Sequence, residues 1–232
     1  MLTLASYNMH KAVGTDRRRR PERTLEVLRE IDADIVALQE ADRRFGTREA
    51  IFTPHLLAEH SDYKAVPVAV RALSMGWHGN VLLVRREAEI VDCTPIHLPA
   101  LEPRGAVSVD VRLRGITVRV VGMHLDLSGL WRRRQAHAIL SHLDGCTPLP
   151  TILMGDLNEW RPTAGCVQDF CRSFTQADTG ASFHAKRPIA RLDRIMVSRD
   201  LEIAECGVHR SMVARTASDH LPIWAKVATR HA

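Results

Sequence analysis

Apolar residues fall in short runs along this chain, each closed by polar or turn-forming residues. Runs of this length, rich in Val, Ile and Leu, predict strands over 2–8, 34–39, 79–85, 90–97, 105–113, 117–124, 151–156, 193–198, 202–208 and 221–227. Helical spacing interrupts them at 21–31, 54–60, 129–143 and 163–170. The first opens on Pro21 and the last follows Pro162, where a proline is at home in a first turn. Many strands with few helices predict two packed sheets with helices on the outside. No internal repeat, low-complexity tract or long linker interrupts the pattern, so 1–232 reads as one domain.

The polar residues that close these runs change the picture. The run 34–39 ends in Glu40; 118–123 ends in His124, with Asp126 two residues on; 152–155 ends in Asp156, Leu157 and Asn158. Asp193 opens the run 195–197, and Ser218, Asp219 and His220 precede Leu221 and Pro222. Carboxylates beside a core are costly unless something compensates them. Each occurrence has an ordinary explanation: a turn bonding its own backbone at 156–158, a core histidine at 124, a surface ion pair at Asp193 and Arg194. Five together point to one shared site containing a cation.

Taken in order, Asn8 after Ser6 and Tyr7, Leu38-Gln39-Glu40, Gly79-Asn80, Met123-His124-Leu125, Gly155-Asp156-Leu157-Asn158, Leu192-Asp193-Arg194-Ile195 and Ser218-Asp219-His220-Leu221-Pro222 form a known series. In these motifs the chain resembles the endonuclease/exonuclease/phosphatase superfamily, from Asn8 to Pro222, and looks closest to its compact bacterial members. The resemblance implies an α/β (α+β) fold class: two packed, mostly antiparallel β-sheets flanked by helices in a four-layer α/β sandwich. It also implies a metal-dependent hydrolase of phosphate esters using Mg²⁺ or Mn²⁺. Glu40 is expected to bind the ion with Asn8 and Asp219 nearby, and oxygen-only ligands suit so hard a cation. Asp156 would position or deprotonate the attacking water and Asn158 orient it. His124 and His220 would face the phosphoryl oxygens, both as cations, with Asp193 holding the His220 imidazole. His10, Asn80, Arg104 and Asp126 are further candidates for holding substrate, Arg104 because guanidinium grips phosphate in a bidentate manner and with structural pairing as its alternative. Arg71, Trp77 and His78 would line the mouth of the cleft.

Composition narrows the substrate only a little. The 232 residues are 45% apolar and 25% charged, ordinary for a globular protein, and carry a net charge of +5. That charge favours an anionic partner: nucleic acid, anionic lipid or a small phosphate. Among the basic residues only Lys11, Lys64, Lys186 and Lys226 are lysines, a bias that base composition of the coding sequence explains. Five Phe and two Tyr argue against an aromatic stacking platform for single strands. Five cysteines with no Cys-x-x-Cys pair indicate reduced, mostly buried thiols rather than disulfides or a zinc ribbon. No transmembrane stretch and no signal peptide are evident, so a cytoplasmic monomer is the expectation. No Gly-rich phosphate loop, calcium hand or dinuclear-zinc histidine cluster occurs.

Three functions follow as expectations. The first is a phosphodiesterase, with DNA as the leading substrate. The second is a phosphomonoesterase or a lipid-headgroup (sphingomyelinase- or phosphoinositide-like) phosphodiesterase built on the same machinery. The third is a non-catalytic phosphate-binding module, which would have lost some of these residues; none is missing.

Overall fold

The computed structural model describes residues 1–43, 49–68, 73–100 and 102–230; Arg71 lies outside them. Twelve strands among these residues form two six-stranded sheets. In the first sheet, β1 (Leu2–Asn8) and β2 (Ile35–Gln39) lie parallel at the centre, joined through helix α1 (Pro21–Ile31). They are flanked on one side by β4 (Val81–Arg85) and by β3 (Tyr63–Ala65), which follows helix α2 (Pro54–His60). On the other side lie β12 (Ile223–Thr229) and β11 (Leu201–Val208). The second sheet has the same plan. Parallel β7 (Ile116–His124) and β8 (Thr151–Asp156) are joined through α3 (Gly129–Asp144). Antiparallel β6 (Gly105–Leu113) and β5 (Glu89–His97) lie outward on one side, β10 (Asp193–Ser198) and β9 (Phe174–Gln176) on the other. Each sheet is therefore mostly antiparallel around one parallel pair, and each parallel pair needs a helical crossover.

Side-chain alternation divides every central strand between two cores. Leu2, Leu4, Ile35, Ala37, Leu82 and Val84 from the first sheet meet Val107, Val109, Val120, Ile152, Met154 and Ile195 from the second, forming the interior between the sheets. The opposite faces are Ala5, Tyr7, Val36 and Leu38, covered by Leu25 and Leu28 of α1 and by the short α5 (Ala214–Ala217). On the other side Val121, Met123, Leu153 and Met196 are covered by Ala136 and Ile139 of α3 and by Val167 and Phe170 of α4 (Cys166–Phe170). The order helix, sheet, sheet, helix is the four-layer sandwich. Gly122 lets the sheets approach, since a Cβ there would sit 2.9 Å from the Leu82 side chain.

Several boundaries differ from the pattern-based expectation. The strands β3 and β9 were not expected; each has three residues, too few to show alternation. The expected helix 163–170 begins only at Cys166 because Gly165 turns the chain with φ 60°. Strand β12 starts at Ile223, after Pro222, which has no amide hydrogen to give a ladder. All five cysteines are free, but only Cys166 is buried and Cys171 is exposed, so the mostly buried thiols are a correction. Among the described residues no helix is long and apolar enough to cross a membrane.

Candidate active site

The ends of the two parallel pairs meet at one edge of the sandwich. In register, His124 at the end of β7 stands beside Asp156 at the end of β8, and Asp193 at the start of β10 faces Asp156 from the other side. Across the sheets, Asn8 at the end of β1 donates from Nδ2 to Asp156 Oδ2 at 3.0 Å. Four strands from two sheets thus deliver polar side chains to one place.

Asp156 is buried and each of its oxygens accepts a hydrogen bond. Oδ1 accepts the Asn158 backbone amide at 2.9 Å, while His124 Nε2 and His220 Nε2 lie 3.5 and 3.8 Å from Oδ2. Gly155 before it has φ 154°, and a Cβ there would lie 1.9 Å from the Met123 carbonyl oxygen. The glycine of Gly-Asp-Leu-Asn is thus required for β8 to pass β7 closely enough to set Asp156 beside His124. Gly155→Ala is expected to lower stability by more than about 3 kcal/mol, read as a fall in the denaturant midpoint. A variant melting like wild type would contradict this packing.

His220 Nδ1 donates to Asp193 Oδ2 at 2.9 Å, and the same oxygen accepts the Ser182 hydroxyl at 2.5 Å. Burial would push the imidazolium down, but Asp193, by charge and hydrogen bond, and then Asp156 and Asp219 hold its pKa up at about 10. The Phe183 ring packs on the other side of the imidazole, 4.8 Å between centroids. His124 is different. Burial and the charge of Arg104 outweigh Asp156 and Glu40 and bring its pKa down to about 4. Arg104 Nη1 donates to His124 Nε2 at 2.7 Å, so the imidazole is neutral with its proton on Nδ1. The expectation of two cationic histidines is corrected here: one histidine and one arginine carry the positive charge.

Glu40 follows β2 in a left-handed conformation, φ 55°, and its carboxylate pairs with the Lys11 ammonium. Burial alone would raise its pKa; His124 and His10, which carry charge only in the acid range where their rings are protonated, and the Lys11 ammonium take it down to about 2. Asp219 Oδ1 lies 3.5 Å from His10 Nδ1, and the amide oxygen of Asn8 accepts the His10 backbone amide at 3.1 Å. Glu40, Lys11, Arg104, His124 and His78 line a cleft of about 310 Å³ that opens beside the row of buried groups. Trp77 lies behind this wall, edge-on to His78 and His97.

Two of the expected substrate-holding residues are turned to the backbone. Asn80 donates to the carbonyls of Trp77 and Gly105 at 3.2 and 2.9 Å, and so clamps the loop before β4 onto β6. Asp126 accepts the Ser128 amide at 2.9 Å in the turn into α3. Asn158 donates from Nδ2 to the Leu125 carbonyl at 2.9 Å. Lys11, Ser182 and Phe183 were not singled out from sequence; nothing in their local patterns distinguishes them, because their partners lie 29, 11 and 37 positions away.

Over residues 5–220 the sequence matches the endonuclease/exonuclease/phosphatase family. The chain belongs to that family. Its members are hydrolases acting on phosphate esters, and so is this chain. Comparison with curated proteins finds none that matches. Among solved structures, an endonuclease/exonuclease/phosphatase family protein from Bacteroides thetaiotaomicron superposes with a TM-score of 0.79 at 20% identity, covering 99% of this chain and 98% of that one. A mannosyl-6-phosphatase from the same organism gives 0.76 at 20% identity, covering 98% and 100%. D. rerio TDP2 complexed with single strand DNA product gives 0.74 at 15% identity, covering 98% and 99%. At these identities the likeness is one of fold alone.

By spacing alone, Asp156, Asp193 and His220 form a group among the described residues that could hold a metal ion, with ligand atoms within 4.8 Å of one another.

Proposed function

We propose that this hydrolase is a divalent-metal-dependent phosphodiesterase in which Asp156 accepts the proton of an attacking water and His220, as imidazolium, stabilises the phosphoryl oxygens. The observation that carries the reading is the continuous buried row from Asn8 through Asp156 and His220 to Asp193 and Ser182. It holds a carboxylate beside a protonated imidazole, next to His124 in the wall of the cleft. The water oxygen bonds to phosphorus as an ester oxygen departs in line with it; the departing oxygen recovers a proton from solvent. Asn158, whose amide nitrogen is committed to Leu125, offers its oxygen to orient the water. Arg104, already bound to His124, brings a second positive charge to the phosphate.

The cation belongs at Glu40 rather than in the buried cluster. His220 donates a hydrogen bond from Nδ1 to Asp193 and keeps a proton on each ring nitrogen, so it has no lone pair for a metal. Glu40 is ionised, lies on the cleft, and already attracts the ammonium of Lys11. Together with Asn8 and Asp219 it would offer an oxygen-only donor set, which suits Mg²⁺ or Mn²⁺. When bound, such an ion supplies charge neutralisation at the phosphate.

Hydrolysis of bis-p-nitrophenyl phosphate tests the reading. Activity is expected with Mg²⁺ or Mn²⁺ and none in EDTA. Glu40→Gln is expected to raise the metal concentration for half-maximal rate by about tenfold or more. Turnover unaffected by chelator would refute the metal requirement. The net charge of +5 suits DNA and anionic lipid alike. Plasmid nicking set beside headgroup release from phosphatidylglycerol vesicles separates the two.

A further inference from the structure

Three loops leave the catalytic edge: the one following His124, the one following Asp156, and the one leading to Asp193. They display large apolar side chains to solvent. Leu127 is 67% exposed, Trp160 60% and Ile189 74%, and Leu130 in the first turn of α3, next to the first loop, is 60% exposed. These make up half of the strongly exposed large apolar residues among the described ones. They are also held in place. Arg132, buried, donates to the Leu127 carbonyl at 2.6 Å and to Glu159 Oε2 at 3.0 Å, tying the first loop to the residue before Trp160. Glu159 Oε1 accepts the Arg161 amide at 3.1 Å. The Trp160 ring meets Phe183 edge-on at 6.1 Å, and Phe183 in turn packs on His220. The Ile189 amide donates to the Phe183 carbonyl at 2.7 Å, which joins the third loop to the same surface.

The charged residues between these apolar tips are of one sign. Arg161, Lys186 and Arg187 are exposed in the loops, and Arg134 is exposed on the adjoining α3. Asp126 and Glu159 are buried, and Asp178, the one exposed carboxylate in the three loops, is paired with Arg191. Ordered apolar tips with a cationic fringe match the anionic face of a lipid bilayer, where tryptophan and aliphatic side chains enter the headgroup region while Lys and Arg meet lipid phosphates. The Trp160 and Phe183 rings would then place the bilayer surface two ring contacts from His220.

We propose that this edge docks on an anionic lipid bilayer, and that the diester presented to Asp156 and His220 is that of a phospholipid headgroup. The second half of this statement rests on the phosphodiesterase reading; the docking does not. Co-sedimentation with phosphatidylcholine vesicles, with and without phosphatidylglycerol, tests it. The whole chain is expected to sediment with the anionic vesicles and stay in solution with the neutral ones. Leu127→Ser combined with Ile189→Ser is expected to weaken partitioning by about tenfold or more, from the apolar area lost. The same double variant keeps its melting temperature and its rate on bis-p-nitrophenyl phosphate. Val91→Ser, an exposed apolar position on the outer strand β5, leaves partitioning unchanged. A blue shift of tryptophan emission on adding anionic vesicles, lost in Trp160→Phe, is the second readout.

The proposal is overturned if wild type ignores anionic vesicles, or if Val91→Ser costs as much as the double variant. It is also overturned if an oligonucleotide, and not vesicles, binds with an affinity sensitive to the double variant; the edge is then a nucleic-acid surface. Protein that partitions but hydrolyses no diester refutes the phosphodiesterase reading and leaves the docking. Active enzyme indifferent to vesicles refutes the docking alone.

Discussion

Asp156→Asn is expected to leave the protein folded and to reduce kcat on bis-p-nitrophenyl phosphate by about a thousandfold or more, the range for loss of a positioned general base. The fold survives because the asparagine oxygen still accepts the Asn158 amide; the bond from the Asn8 amide is lost, while the Asn8 oxygen keeps the His10 amide. What disappears is the negative charge. A neutral amide has no affinity for the proton of water, and the His220 imidazolium loses one of the carboxylates that sustain it. The measurement is kcat at saturating metal together with the melting temperature. A variant that keeps a tenth of the rate would assign the proton to another group.

Asp193→Asn is expected to act through His220 and to show itself in the pH profile. In the wild type, burial disfavours the imidazolium and Asp193 reverses the balance, holding the pKa at about 10. Without the carboxylate, burial is opposed only by Asp156 and Asp219, and the pKa falls well below its wild-type value. The alkaline limb of kcat, near pH 10 in the wild type, is then expected to move to lower pH by about one unit or more. Stability follows the same linkage. A histidine raised in the folded state contributes fully below about pH 6.5, and the contribution is lost as pH rises through about 10. The gap in stability between wild type and Asp193→Asn is therefore widest in mild acid and narrows toward pH 10. Coincident alkaline limbs in the two proteins would show that His220 does not act as a cation.

Much of this arrangement was legible in the residues, and the reasons can be named. Strands β1, β8 and β10 are buried on both faces and so appear as apolar-rich runs with few charged residues, whose ends coincide with the expected 2–8, 151–156 and 193–198. Glu40, His124, Asp156 and Asp193 stood out because each abuts such a run, where a polar group needs a reason to be. Pairing was not legible. That Lys11 falls on Glu40, Arg104 on His124 and Ser182 on Asp193 depends on sheet register and on turns such as the left-handed one at 10–12, which no local pattern announces. Asn80 and Asp126 show the limit from the other direction. In sequence they resemble Asn158 and Asp156, each a small polar residue at a strand end. Folded, they bond backbone groups in a loop before β4 and in the entry to α3.

The bond from Asn8 to Asp156 and the contact from Asp156 to His220 bring together the first strand, the middle of the chain and the approach to the last strand. A chain emerging from the ribosome therefore has no working centre until β12 has closed against β1. Recovery of turnover during refolding consequently reports the final long-range closure, lagging behind any spectroscopic signal for the sheets themselves.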